Sequence, residues 1–297
     1  AHGTSYEARD VIDSDPADVA EADPDIYHAS PVCKNFSKAK RLASADELDL
    51  KSAESVAAVI REAAPPTVTV ENVPAYADTA LFKLITDALD EKGYTWDVVV
   101  HDAADYGAPQ TRKRMLLRAV KEGDLPTLPE KQPPGDWFTV IEDLLEEAPD
   151  SEVPAWETGR IDRMVERGTL TRSKPIIAMG GSAGRSVASA SNAGGPSPTL
   201  KATPREVPRI IMPDGRVKRV TPRMMARLMG LPDSYPVPEH HGLAKTVLGN
   251  GVSGDVTRAL IQPLVDQVAP EQPGILEQGA TAPLGFYSAL AQAIEGL

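Results

Sequence analysis

Three segments of this 297-residue chain place reactive side chains at the ends of strand-like runs. The first, Ser30-Pro31-Val32-Cys33-Lys34-Asn35-Phe36-Ser37, follows the apolar run Ile26–Ser30 and holds the single cysteine. A lone cysteine is more often an inert buried side chain than a nucleophile. Three features favour the nucleophile here. Cys33 follows a strand, at the edge where open α/β sheets bind ligands. Lys34 is adjacent, with Lys38 and Lys40 beyond, and positive charge lowers a thiol pKa. The neighbouring polar residues suit an exposed loop. The second segment, Glu71-Asn72, ends the β-branched run Thr67–Val70. A carboxylate there either caps the next helix or, desolvated beside a bound base, shares a proton with a ring nitrogen. The third, Gln110-Thr111-Arg112-Lys113-Arg114, leads into Met115–Val120. In an extended run Arg112 and Arg114 project to one side, which suits an anionic backbone or a base oxygen. A merely charged strand start has the same composition.

The elements that must position these residues read as an α/β unit. Strand-like runs at Tyr6–Ile12, Ile26–Ser30, Thr67–Val70, Tyr94–His101 and Met115–Val120 alternate with helical patterns at 52–64 and Thr79–Lys92. Residues 14–25 read as a loop or short helix. This spacing predicts a largely parallel sheet covered on both faces. The character changes after about residue 121. Residues 123–136 are proline-rich and read as a linker, and 180–204 are rich in Gly, Ser and Pro without a helical period. Thr221 is a candidate N-cap with Pro222 at the first helical position, and a last helix covers about 254–268.

Composition removes several classes. One cysteine excludes an internal disulfide and a cysteine-built zinc site. No run of about 18 apolar residues is present, and the first 30 residues are acidic without an apolar signal core. A cytoplasmic protein with no membrane partner is the expectation. The net charge of −12 argues at first against nucleic acid. Yet Glu157–Arg223 holds 13 Lys and Arg against 5 Asp and Glu, a balance of +8, while the rest carries −20. Such a segment is either a solvated surface or a face presented to phosphates.

Taken together, the segments resemble the DNA (cytosine-5) methyltransferase family. Residues 30–37 are similar to its nucleophile motif, and Glu71-Asn72-Val73 to its Glu-Asn-Val motif. Asp105-Tyr106-Gly107-Ala108-Pro109-Gln110-Thr111-Arg112-Lys113-Arg114 is similar to its Gln-x-Arg-x-Arg motif with the lead-in. Ser197-Pro198-Thr199-Leu200 resembles the Thr-Leu element of its target recognition domain. The run from Arg223 to Tyr235 matches its ninth motif, and Gly249-Asn250-Gly251-Val252 its tenth. Each is short, but all stand in the family's order.

The resemblance implies a Rossmann-like methyltransferase domain with a mostly parallel sheet, plus a small irregular target recognition domain. Residues 1–122 would form the main catalytic part, 123–220 the linker and recognition domain, and 221–268 the return to the catalytic domain. The 269–297 tail has no assigned role. The implied reaction methylates C5 of a flipped-out cytosine in double-stranded DNA, with S-adenosyl-L-methionine as donor. Cys33 would attack C6, Glu71 would protonate N3, and Arg112 and Arg114 would orient the base. Asp10, Val11, Pro31, Asn250 and Gly251 would hold the cofactor. Ser30, Lys34, Ser37, Asn72, Val73, Gln110, Thr199 and Leu200 would line the base pocket or meet DNA. The loop from Lys34 to about Asp49 would close over the base.

Two departures from the family pattern stand out. Val32 replaces the proline that normally precedes the nucleophile. The family's opening strand and Phe-x-Gly-x-Gly cofactor loop have no counterpart, although Asp10-Val11 resembles the third motif. Gly180-Gly181-Ser182-Ala183-Gly184 is similar only on the surface, because it falls in the recognition segment. The first strand is therefore expected to be missing. The alternatives are a split methyltransferase whose second chain supplies that strand and loop, a cofactor-deficient DNA-binding relative, and an RNA cytosine-5 methyltransferase.

Overall fold

The computed structural model describes residues 12, 15–32, 46–180, 189–203 and 206–268. Its first half is built on β1 (Ile26–Ala29), β2 (Thr67–Asn72), β3 (Thr95–Asp102) and β4 (Lys113–Val120), in the spatial order β1-β2-β4-β3. β1 and β2 pair in parallel, while β4 runs antiparallel to both β2 and β3. Three strands thus share one direction, and the reversed β4 between two of them makes a mixed sheet. The runs expected at 26–30, 67–70, 94–101 and 115–120 are these strands, shifted by one or two residues at their ends. Of the run expected at Tyr6–Ile12 only Ile12 is described, and it lies in a turn.

The helices follow from capping and burial. α1 (Pro16–Glu21) starts with Asp15 accepting from the Ala17 N–H. α2 (Glu47–Ala63) begins five residues earlier than its apolar pattern, because Asp46 and Asp49 form a reciprocal capping box. The expected closing loop therefore stops short of Asp46; its residues 34–45 lie outside the described residues. Ser52, the expected helix start, is buried in mid-helix instead. α3 (Ala80–Glu91) is capped by Thr79, whose hydroxyl accepts from Phe82. Val56, Ala57 and Ile60 of α2 and Leu81, Ile85 and Leu89 of α3 cover one sheet face through Val68, Val70, Met115 and Leu117. Alternation along β2 then turns Glu71 to the opposite face. That face is covered by the chain's return, where Val256, Leu260, Ile261 and Val265 pack on Leu116.

The second half is more regular than its composition suggests. α4 (Ala155–Glu166) precedes an antiparallel sheet of β5 (Ile176–Ala178), β6 (Ala190–Asn192), β7 (Arg209–Ile211) and β8 (Val217–Arg219), in the order β6-β5-β7-β8. Strands of three residues are too short to leave an alternating pattern in sequence. Their core gathers around Trp137, which is fully buried and donates from Nε1 to the Asn192 carbonyl at 2.9 Å. α5 (Pro222–Leu228), capped by Thr221 as expected, lends Met224, Met225 and Leu228 to this core. From Val252 onward the chain packs against the first sheet.

α6 (His241–Asn250), which no sequence pattern announced, ends at the residues expected to hold the cofactor. A buried lysine fixes it. Lys245 Nζ donates to the Glu206 carbonyl at 2.6 Å, with a Glu206 carboxylate oxygen at 3.8 Å. Burial pulls its pKa down from 10.5 to about 8. The unfolded chain therefore binds the extra proton between about pH 8 and 10.5, and raising pH through that window favours the fold. Urea unfolding at about pH 7.5 and 9.5 checks this: wild type should gain roughly 1–2 kcal/mol relative to Lys245→Met. Equal pH dependence in both proteins would contradict the assignment.

Candidate active site

The carboxyl ends of β1 and β2 are tied together by side chains that the sequence singled out. Asn72 Nδ2 donates to the Pro31 carbonyl at 3.0 Å, while its Oδ1 accepts the Val73 N–H at 2.8 Å. From the other side, the Val32 N–H donates to Ser52 Oγ of α2 at 3.1 Å. The two residues leading into Cys33 are thus held by a buried asparagine and a buried serine. Cys33, Lys34, Ser37, Asp10 and Val11 lie outside the described residues.

Glu71 is 5% exposed at the end of β2. Arg114 Nε lies 2.9 Å from its Oε1, and the Ser30 hydroxyl donates to Oε2 at 3.4 Å. Burial raises its pKa above the ordinary carboxylate value, and the charges of Arg114 and Arg112 only partly oppose that rise. Burial thus favours the protonated acid, the form that proton donation requires. It does not cap a helix: the following 3-10 turn, Pro74–Asp78, has no side-chain cap.

Arg112 is held by backbone carbonyls. Its guanidinium donates to the carbonyls of Leu200 at 3.1 Å, Gly249 at 2.8 Å and Gly251 at 2.8 Å. Its N–H donates to Asp102 Oδ1 at 2.7 Å. At 2% exposure it is a joint between three chain segments, and it also lines the small cavity beside Glu71. Gln110 extends the joint. Its Oε1 accepts the Leu200 N–H at 3.2 Å. Around it Thr111 N–H donates to the Ser197 carbonyl at 2.8 Å, Ser197 N–H donates to the Pro109 carbonyl at 2.8 Å, and Thr199 Oγ1 donates to the Thr111 carbonyl at 2.6 Å. The structure therefore brings Gln110, Arg112, Thr199 and Leu200 together at the seam of the two sheets. Gly249 is required there, since a Cβ would lie 2.4 Å from the Ala202 nitrogen.

Asn250 and Gly251 stand on the wall of a separate cleft of ≈ 350 Å³, shared with Met229, Leu231, Tyr235 and Val247. A mostly apolar wall with a few polar groups, in this size class, suits a nucleoside-sized ligand.

Two further polar groups face Glu71 that the sequence reading missed. His101 pairs in register with Arg114 across β3 and β4, and Ser253 follows the Gly249–Val252 segment. Both line a small cavity with Glu71, Arg112 and Arg114. His101 closes a strand just as Glu71 does, which was a usable signal; Ser253 offered none.

On the second half, Arg163, Arg167, Lys174, Lys201 and Arg219 are exposed, and none has an acidic partner among the described residues. Arg172, Arg209, Arg216 and Lys218 are paired with carboxylates. The +8 balance therefore includes exposed cations with no acidic partner among the described residues. Among the described residues no helix is long and apolar enough to cross a membrane.

A mixed α/β sheet bearing a strand-end carboxylate, joined to a second antiparallel lobe, is an arrangement shared with solved methyltransferases. The chain belongs to the C-5 cytosine-specific DNA methylase family, whose model matches residues 2–266. It is 28% identical over 245 residues to Type II methyltransferase M.HhaI of Haemophilus parahaemolyticus, covering 77% of this chain and 72% of that one. It is 27% identical over 267 residues to Type II methyltransferase M.NlaX of Neisseria lactamica, covering 88% and 82%. The Entamoeba histolytica methyltransferase EhMeth has the same fold, with a TM-score of 0.56 at 16% identity over 89% of this chain and 84% of that one.

If Arg112 is the joint, Arg112→Met strands three carbonyls and should lower the unfolding free energy by about 3 kcal/mol or more. Arg112→Lys, a point charge without the planar fork, should recover only part of that. An unchanged urea midpoint in Arg112→Met would contradict the role.

Proposed function

We propose that this chain is a DNA (cytosine-5)-methyltransferase that methylates C5 of a flipped-out cytosine through a covalent Cys33 adduct. The observation that carries the reading is the strand-end pair: a buried Glu71 held by Arg114, beside the Ser30–Val32 segment that leads directly into Cys33. A cytosine cannot be attacked inside the duplex stack, so it must swing out to reach this place. The Cys33 thiolate adds to C6, and the ring electrons move towards N3. Glu71 meets that charge by giving its proton to N3, which leaves C5 electron-rich. Arg114 keeps the Glu71 carboxyl oriented, and Ser30 restrains its other oxygen. Once C5 carries the new methyl group, loss of the C5 proton and departure of the thiolate regenerate the aromatic ring and return the N3 proton to Glu71.

S-adenosyl-L-methionine, when bound, supplies an electrophilic methyl group. Asp10, Val11, Pro31, Asn250 and Gly251 would hold it. The apolar cleft beside Asn250 and Gly251 is consistent with a nucleoside moiety. The lobe of residues 123–220 would face double-stranded DNA, with Arg163, Arg167, Lys174 and Lys201, which have no acidic partner among the described residues, meeting phosphates. Gln110, Thr199 and Leu200 at the seam would fix that lobe against the base pocket, and Lys34, Ser37 and Val73 would frame the flipped base.

Transfer of a radiolabelled methyl group from S-adenosylmethionine to mixed-sequence duplex DNA tests the reading. Cys33→Ala should abolish transfer, and Glu71→Gln should slow it by roughly 10²–10⁴-fold. Labelling of tRNA in place of duplex DNA, or normal transfer by Cys33→Ala, would overturn it.

A further inference from the structure

Parallel strands in a covered sheet are ordinarily apolar on both faces. On β1 and β2 one face is polar instead. Thr69 and Glu71 lie opposite Val68 and Val70 on β2. The parallel strand places polar partners in register with them: His28 pairs with Thr69, and Ser30, two residues on, reaches Glu71. Three contacts join the four side chains. Thr69 Oγ1 lies 2.8 Å from His28 Nδ1, His28 Nε2 lies 3.5 Å from Ser30 Oγ, and the Ser30 hydroxyl donates to Glu71 Oε2 at 3.4 Å. Counting hydrogens fixes how this chain runs. Ser30 has one hydroxyl proton, and Glu71 receives it. Ser30 Oγ can therefore only accept from His28, so Nε2 carries a hydrogen. In the neutral ring Nδ1 is then an acceptor, and the fully buried Thr69 hydroxyl is its donor. Every bond donates towards Glu71. A protonated ring makes the same donation to Ser30.

We propose that His28 is a positioning residue for methyl transfer: backed by Thr69, its Nε2–H holds the Ser30 hydroxyl as a donor to Glu71, which stabilises the carboxylate left when the base takes the proton. The proposal rests on the methyl-transfer reading above. No proton travels along the chain. The one transfer is from Glu71 to N3 of the base, and its return. Arg114 covers Oε1, so Ser30 is the donor on the other oxygen. With the reverse polarity Ser30 would accept from Glu71, and the acid proton would point at Ser30 rather than at the base. Contacts of 3.4 and 3.5 Å are long, and catalytic hydrogen bonds of this kind tighten when substrate binds. A donor to the ionised form lowers a carboxyl pKa, and Ser30 acts on Glu71 in that sense. The charged groups facing Glu71 are Arg114 and Arg112, with His101 across the small cavity. None of these three belongs to the chain.

The test is single-turnover methylation of duplex DNA at saturating S-adenosylmethionine, from about pH 6 to about pH 9. It compares wild type, Ser30→Ala, His28→Phe, His28→Gln and the double variant Ser30→Ala/His28→Phe. His28 and Ser30 are exposed, so these changes open no buried void. Ser30→Ala and His28→Phe should each slow the plateau rate about three- to tenfold at unchanged DNA affinity. Each should also move the alkaline fall of the rate up by about one pH unit, because Glu71 has lost a donor to its ionised form. His28→Gln, whose amide can donate to the same hydroxyl, should keep most of the rate. The double variant should be no slower than the slower single, because both act through one bond. Unchanged rates, a loss without the pH shift, a loss confined to DNA affinity, a His28→Gln as slow as His28→Phe, or multiplying losses would overturn the assignment. Glu71→Gln separates the two levels: if it retains the wild-type rate, the methyl-transfer role of Glu71 fails and the positioning role with it. If it loses the rate while Ser30→Ala and His28→Phe behave as wild type, the positioning role alone is wrong.

Discussion

The guanidinium of Arg112 meets three backbone carbonyls from residues 88, 137 and 139 positions away in sequence. A buried cation needs partners for its donors, and here both terminal guanidinium nitrogens find them at the ends of the Thr199-Leu200 segment and of α6. One side chain therefore sets the distance between the first sheet, the second lobe and the wall of the apolar cleft. Gln110, two residues earlier, doubles the connection through the Leu200 N–H. Gly249 makes it possible by letting the two backbones touch. Arg112 also lines the small cavity beside Glu71, so the seam and the strand-end carboxylate share one side chain.

Around that fixed point, the same sheet gives two neighbouring arginines opposite duties. Arg112 precedes β4 and is drawn into the seam; Arg114, two residues on, lies along β4 and pairs with Glu71. Their alternation suggested one shared direction and one shared role. Tertiary context divided them, since one guanidinium found carbonyls and the other a carboxylate. The proposed chemistry uses that division: a rigid joint holds the lobes while a charged pair adjusts the proton affinity of Glu71.

Much of the first sheet was legible in the sequence because its strands are β-branched and apolar, and its strand-end residues Glu71 and Asn72 stand out against them. What failed had physical causes. α2 begins at an acidic capping box rather than at its apolar stripe. The second sheet is made of three-residue strands, which carry no periodicity, and its core draws on Trp137 and α5 from outside those strands. α6 depends on a buried lysine that reads, in sequence, as a surface residue. Ser253 became visible as a site residue only when folding placed it across a cavity from Glu71.

The central claim is that Cys33 bonds to C6 of a cytosine while Glu71 manages the N3 proton. Duplex DNA in which cytosine carries fluorine at C5 tests it most directly, because fluorine cannot leave as a proton does and the adduct then persists after methyl transfer. Mass spectrometry of the digested complex, formed with S-adenosylmethionine, should find methylated fluorocytosine attached to the peptide that contains Cys33. An absence of adduct despite DNA binding, or attachment at another residue, would contradict the account.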